Sequence, residues 1–123
     1  MAVLYITHDL GLVEAACDDV AVMYLGRIVE EASARQILTH PLHPYTRRLL
    51  ASVPRLGQRR GRLPTVLGAV PSPVDFADAC AFADRCDEVF EPCRRAVPAL
   101  VEVTSAHRDR CYLHSPPQEK VVR

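Results

Sequence analysis

Four cysteines in the second half of the chain, Cys80, Cys86, Cys93 and Cys111, follow the spacing Cys-x5-Cys-x6-Cys-x17-Cys. Four thiolates make a complete ligand set for a zinc ion or an iron-sulfur cluster. Zinc ribbons usually set two cysteines two to four residues apart, so that one knuckle chelates one ion. The gaps here are wider, and a larger cluster is easier to embrace with them. The plainer alternative is four thiols packed as small hydrophobes. His107 and His114 could substitute as ligands, although both read more simply as solvated surface histidines. The fifth cysteine, Cys17, stands apart on the apolar side of a short helix and reads as a core residue. A second polar constellation, His8-Asp9, closes a short apolar run near the N-terminus. Taken alone, such a pair most simply satisfies a turn or caps the next helix.

The elements that must position these groups follow from periodicity and punctuation. Residues 3–7 form a β-branched and aromatic run, read as a buried strand that delivers His8 and Asp9 at its C-terminal end. Residues 10–17 read as a short helix, with the Asp9 carboxylate as its cap. Residues 19–25, the pair Gly26-Arg27 and the alternating residues 28–31 predict a strand, a tight turn and a strand. Ser33 is placed to cap a helix through residue 38, stopped before Pro41. Pro44 suits the first turn of another helix, to residue 52. From residue 54 the texture changes to arginine, glycine and proline, without helical or strand period, which reads as a linker over 54–75. Its basic run, residues 57–62, could touch phosphate or an acidic partner, but solvated linker charge is the commoner cause. The cysteine segment spans 76–113, and residues 114–123 read as a disordered tail.

Composition excludes some functions. Lysine plus arginine and aspartate plus glutamate number 15 each, so there is no global positive field for nucleic acid or anionic lipid. Apolar runs are broken too often to span a membrane. The N-terminal run lacks a basic region, a long apolar stretch and a small-residue cleavage site. It is therefore read as not directing export, and the cysteines as thiols or metal ligands rather than disulfides.

Residues 5–31, Tyr-Ile-Thr-His-Asp-Leu-Gly-Leu-Val-Glu-Ala-Ala-Cys-Asp-Asp-Val-Ala-Val-Met-Tyr-Leu-Gly-Arg-Ile-Val-Glu-Glu, resemble the end of an ABC-type nucleotide-binding domain. Residues 40–54 contain His43-Pro44-Tyr45-Thr46. They resemble the element that marks ATP-binding subunits of oligopeptide, dipeptide and related nickel importers, and the resemblance extends from residue 3 to about residue 114. It implies an α/β fold: residues 1–53 as the incomplete C-terminal piece of a P-loop ABC-type ATPase domain, followed by a small irregular cysteine-rich extension that binds a metal or cluster. In that family the histidine after the strand, here His8, is the switch residue that approaches the ATP γ-phosphate and helps place the attacking water. Phosphoryl transfer rests on positioning and charge stabilisation, so an imidazole at a strand mouth suits the task. The resemblance also extends to the cysteine region, where some members carry a [4Fe-4S] cluster. Ala79, Asp87 and Tyr112 depart from the usual glycine, proline and histidine there, yet none removes a thiolate.

The chain has no Gly-x-x-x-x-Gly-Lys-Ser/Thr loop, no Leu-Ser-Gly-Gly-Gln signature and no apolar strand ending in Asp-Glu, so alone it is not expected to hydrolyse ATP. Met1 accordingly reads as an artificial or late start. For the complete subunit the resemblance implies ATP with magnesium as cofactor. Its implied partners are a second ATP-binding subunit, membrane permease subunits and a solute-binding protein, with no nucleic acid. The implied location is cytoplasmic, peripheral on the inner face of the cell membrane through the permeases. Two other readings stand beside this one: a free-standing four-cysteine iron-sulfur or zinc module, and a nonfunctional truncated product.

Overall fold

The computed structural model describes residues 1–53 and 78–115. The linker expected at 54–75, with its basic run, lies outside the described residues, as does the tail beyond residue 115. Helix α1, Leu10–Ala16, starts where the Asp9 side chain accepts from the Gly11 N–H at 2.9 Å, which satisfies one of the unpaired donors of the first turn. Strands β1, Asp19–Tyr24, and β2, Arg27–Ser33, then pair antiparallel around a two-residue turn. Leu25 and Gly26 both take positive φ, at 51° and 78°, as a type I′ hairpin turn demands. Only glycine does this without backbone strain, so Leu25 holds its conformation because the core holds its side chain.

Ser33 ends β2 and caps helix α2, Ala34–Thr39, through a full capping box with Gln36. Helix α3, Pro44–Ala51, follows, with Pro44 in its first turn as expected. In the cysteine segment a 3-10 turn, Ala83–Arg85, leads to helix α4, Glu91–Arg95, and to strands β3, Val101–Thr104, and β4, His107–Asp109. The sheet has four antiparallel strands in the order β1-β2-β4-β3. The second half thus adds a hairpin to the same sheet as the first, which the irregular texture of residues 80–111 did not announce.

A bulge in β2 sets which groups turn inward. Met23 pairs with Ile28 and Val22 with Glu30, so Val29 is the extra residue. Val29 enters the apolar core with Val22, Tyr24, Ala32, Ile37 and Phe82, while its neighbour Glu30 is also buried, in a polar layer. Phe82 is the central piece of that core. Its ring meets Tyr24 edge-on at 5.3 Å and Tyr45 at 5.4 Å, so the cysteine segment is anchored on the hairpin and α3 by aromatic contact.

Three expectations need correction. Residues 3–7 form no strand, and Val3, Leu4, Tyr5 and Ile6 are exposed. A strand cannot satisfy its own backbone groups, and no neighbour among the described residues pairs with this run. Cys17 is not a core residue: it is the half-buried C-cap of α1, its N–H bonded to the Val13 carbonyl. His107 is no solvated surface histidine but is 2% exposed, and His114 is half-buried.

Candidate functional site: four cysteines and a buried acid-histidine layer

The four cysteines of the second half come from three places, and Cys80 packs beside Cys93. Cys80 precedes the 3-10 turn, Cys86 ends it, Cys93 lies in α4 and Cys111 follows β4. The Cys80 N–H donates to the Cys93 carbonyl at 2.9 Å, which ties the two ends of the 80–93 loop. Cys111 is brought in from the far side because the Arg110 N–H donates to the Val29 carbonyl at 2.8 Å, anchoring the end of β4 on β2. All four thiols are free, Cys93 and Cys111 buried and Cys80 and Cys86 partly so.

Burial dominates the electrostatics of these thiols. Burial pushes the Cys80 thiol up, and Cys93 and Cys86 push it further. Burial likewise raises Cys86, with Cys93 adding to the effect. Cys111 is pushed up to about 12, first by burial and then by Asp109, Cys80 and Cys86. Left to themselves Cys80, Cys86 and Cys111 stay protonated at neutral pH. A bound cation would reverse that, since a coordinated thiol gives up its proton. Among the described residues, three or more candidate ligand atoms lie within 4.8 Å of one another in only one group, Asp109, Cys111 and His114.

Behind the thiols runs a layer of buried acids and histidines. Register places Glu30 opposite Asp109, a like-charge cross-strand pair that would be destabilising if bare. Each carboxylate has a histidine. His107 Nε2 lies 2.6 Å from Glu30 Oε1, and His114 Nδ1 lies 2.5 Å from Asp109 Oδ2. Glu30 also accepts from the backbone N–H groups of Leu42, at 2.7 Å, and His43, at 3.0 Å. It therefore locks the entry to α3 onto the sheet. His43 caps that helix, its Nδ1 accepting from the Tyr45 N–H at 3.0 Å. Burial lowers the His43 pKa to about 4, against the smaller raising effect of Glu30, so the ring is neutral and free to accept. Asp109 is raised to about 6, mainly by burial, with His114 opposing.

His8 is not part of this assembly. It is exposed in the loop before α1, and among the described residues no hydrogen bond or ion pair joins it to the cysteines. Sequence reasoning found the four cysteines and His43-Pro44-Tyr45-Thr46 but not the layer of Glu30, His107 and Asp109. A faint signal existed in Glu30-Glu31, because strand alternation must turn one of two adjacent glutamates inward.

These features define a small α/β region with an antiparallel sheet, a His-Pro-Tyr-Thr helix entry and four free thiols in its second half. The profile described as "Oligopeptide/dipeptide transporter, C-terminal region" matches residues 29–93, more than half of the chain, and the chain belongs to that family. It is 46% identical over 112 residues to the "Probable peptide ABC transporter ATP-binding protein y4tR" of Sinorhizobium fredii, a match covering 90% of this chain and 33% of that protein. It is 40% identical over 113 residues to the oligopeptide transport ATP-binding protein AppD of Bacillus subtilis, covering 92% and 34%. The dipeptide transport ATP-binding protein DppF of Haemophilus influenzae is 40% identical over 114 residues, covering 91% and 35%. The chain thus spans about a third of the length of the curated relatives it matches.

Proposed function

We propose that this chain acts as the C-terminal part of the ATP-binding subunit of an ABC importer for peptides. The observation that carries the reading is the family match over residues 29–93, which contains the His43-Pro44-Tyr45-Thr46 entry to α3. The names of the relatives, which include oligopeptide and dipeptide transport ATP-binding proteins, support it. In such a subunit ATP and magnesium bind to residues that this sequence does not contain. His8 is assigned the switch role, sensing the terminal phosphate and helping to position water. Its exposed position leaves the imidazole open to a nucleotide held by the rest of the subunit. The partners on this reading are a second ATP-binding subunit, two permease subunits and a solute-binding protein, with the subunit on the cytoplasmic face of the membrane. No helix among the described residues is long and apolar enough to cross a membrane itself. The solute class is peptide, with nickel as a related cargo of the same importer type.

Cys80, Cys86, Cys93 and Cys111 are assigned to a [4Fe-4S] cluster, with zinc as the alternative. The donor chemistry fits either. Sequence spacing favours the cluster, because the gaps of five, six and seventeen residues are wider than the two to four of a zinc knuckle. A cluster would supply a covalent staple or an electron-transfer centre, joining the 80–93 loop to the turn after β4.

Grafting the chain into a complete subunit tests the transport reading. His8→Ala in that graft is expected to abolish peptide uptake while leaving iron content unchanged. Uptake at the parental rate would overturn the role of His8, and a graft inactive even with His8 present would overturn the transport assignment. For the metal, anaerobically purified chain is expected to contain iron and sulfide in comparable amounts. An iron-free, zinc-loaded preparation would count against the cluster.

A further inference from the structure

Arg27 and Arg110 line one small cavity together with His43 and Cys80. Arg110 is fixed there, its Nε and Nη1 donating to the carbonyls of Ile28 and Pro98 at 2.8 and 3.2 Å. Arg27 is not fixed in this way. Its Nη1 is buried without a hydrogen-bond partner, and among the described residues no carboxylate forms an ion pair with it. A guanidinium stays charged, and burying one without a counter-charge is costly, so its surroundings call for negative charge.

The cavity narrows the choice of partner. Its volume of about 10 Å³ admits at most one water, which accepts a hydrogen bond but brings no charge. The counter-charge must therefore come from the wall. No carboxylate lines the cavity: Glu30 is held by His107 and the entry to α3, and Asp109 by His114. His43 is neutral, because burial lowers its pKa to about 4, and its Nδ1 accepts from the Tyr45 N–H. The other walls are apolar, with Val29, Phe82 and Pro98 among them. Cys80 alone can become an anion there, and a thiol that ligates a metal does so.

Four thiolates carry more negative charge than a zinc ion or an iron-sulfur core cancels, and net charge is one of the factors that set the potential of a cluster. We propose that Arg27, with Arg110 on the same cavity, is the counter-charge of the four-cysteine centre and raises its reduction potential. The proposal rests on the cluster assignment made above. Arg27 ligates nothing and acts through the charge of the centre: a nearby cation favours the reduced, more negative state, so removing it makes reduction harder. Arg27 opens β2 directly after the turn at Leu25 and Gly26, whereas the four thiols belong to the second half of the chain. The centre thus takes its ligands from one half of the chain and its counter-charge from the other.

The test uses the full chain, purified anaerobically, with iron and sulfide measured first and the cluster then titrated with a reductant. Arg27→Gln is expected to lower the equilibrium constant for reduction at least tenfold, about 59 mV for one electron. Arg27→Lys keeps the charge and should stay within threefold of the parent. Arg108→Gln removes an equal charge from an exposed position on β4 and should also stay within threefold. A shift below tenfold in Arg27→Gln, a lysine variant displaced as far as the glutamine one, or an equal displacement in Arg108→Gln would overturn the proposal. Those results leave the cluster assignment standing, because iron and sulfide in the parent are measured before any variant is compared. A parent chain without iron and sulfide overturns both. Should Arg27→Gln fail to fold by circular dichroism, Arg27→Met, neutral and suited to the apolar walls, takes its place.

Discussion

His43 and Asp109 carry opposite pH linkages in one polar layer. His43 has a folded-state pKa of about 4 against an ordinary 6.5, so between those values the unfolded chain binds a proton that the folded chain refuses. Stability from this residue is therefore present above pH 6.5 and is lost as pH falls towards 4, by about 1.4 kcal/mol per unit. Asp109 has a folded value of about 6 against an ordinary 3.8, so the folded chain holds the extra proton and stability from this group rises as pH falls from 6 to 4. In the native chain the two slopes oppose each other. Asp109→Asn leaves His43 alone, and its urea midpoint should drop steadily between pH 6.5 and 4.5. His43→Asn keeps a capping side chain, removes the imidazole and should show the opposite slope below pH 6. Equal slopes in the two variants, measured with chelator present, would refute the assignment.

At the scale of elements, short helices here survive by their ends. Helix α2 has six residues, too few to be stable in isolation, and owes its place to the capping box of Ser33 and Gln36 and to buried Ile37. Ser33→Ala should cost about 1 kcal/mol in urea unfolding. Gln36 also reaches the Ser105 carbonyl, at 3.3 Å, so the same substitution should loosen the turn between β3 and β4. Amide exchange is expected to quicken at residues 34–39 and 105–107 together. Faster exchange confined to α2 would show that the cap acts only locally.

Over the whole molecule, the cysteine segment is held to the first half by Phe82, by the shared sheet and by α3. Arg48 donates to the Arg85 carbonyl at 2.8 Å and pairs with Asp87, while Arg47 pairs with Glu88 at 2.7 Å. These ion pairs have at least one exposed partner and contribute little. Phe82, 1% exposed between Tyr24, Tyr45 and His43, dominates instead. Phe82→Ala should cost about 4 kcal/mol and lower the denaturant midpoint of both halves at once. Separate transitions for the hairpin and the cysteine segment would show that the two do not fold as one unit.

Local chemistry was legible in the sequence. The caps Asp9 and Ser33, the turn at Gly26, the start of α3 at Pro44 and the spacing of Cys80, Cys86, Cys93 and Cys111 all depend on neighbours a few residues apart, which composition and period express directly. The family was legible in His43-Pro44-Tyr45-Thr46 for the same reason. Partners distant in the chain were not. Glu30 meets His107 across 77 residues, and Asp109, two residues before Cys111, lies beside Glu30 only because β4 pairs with β2. The bulge at Val29 and the register of that pairing decide which acids face which histidines, and neither leaves a period in the sequence. Residues 3–7 teach the converse: a run with strand composition stays exposed and unpaired without neighbouring strands, because a ladder needs two sides.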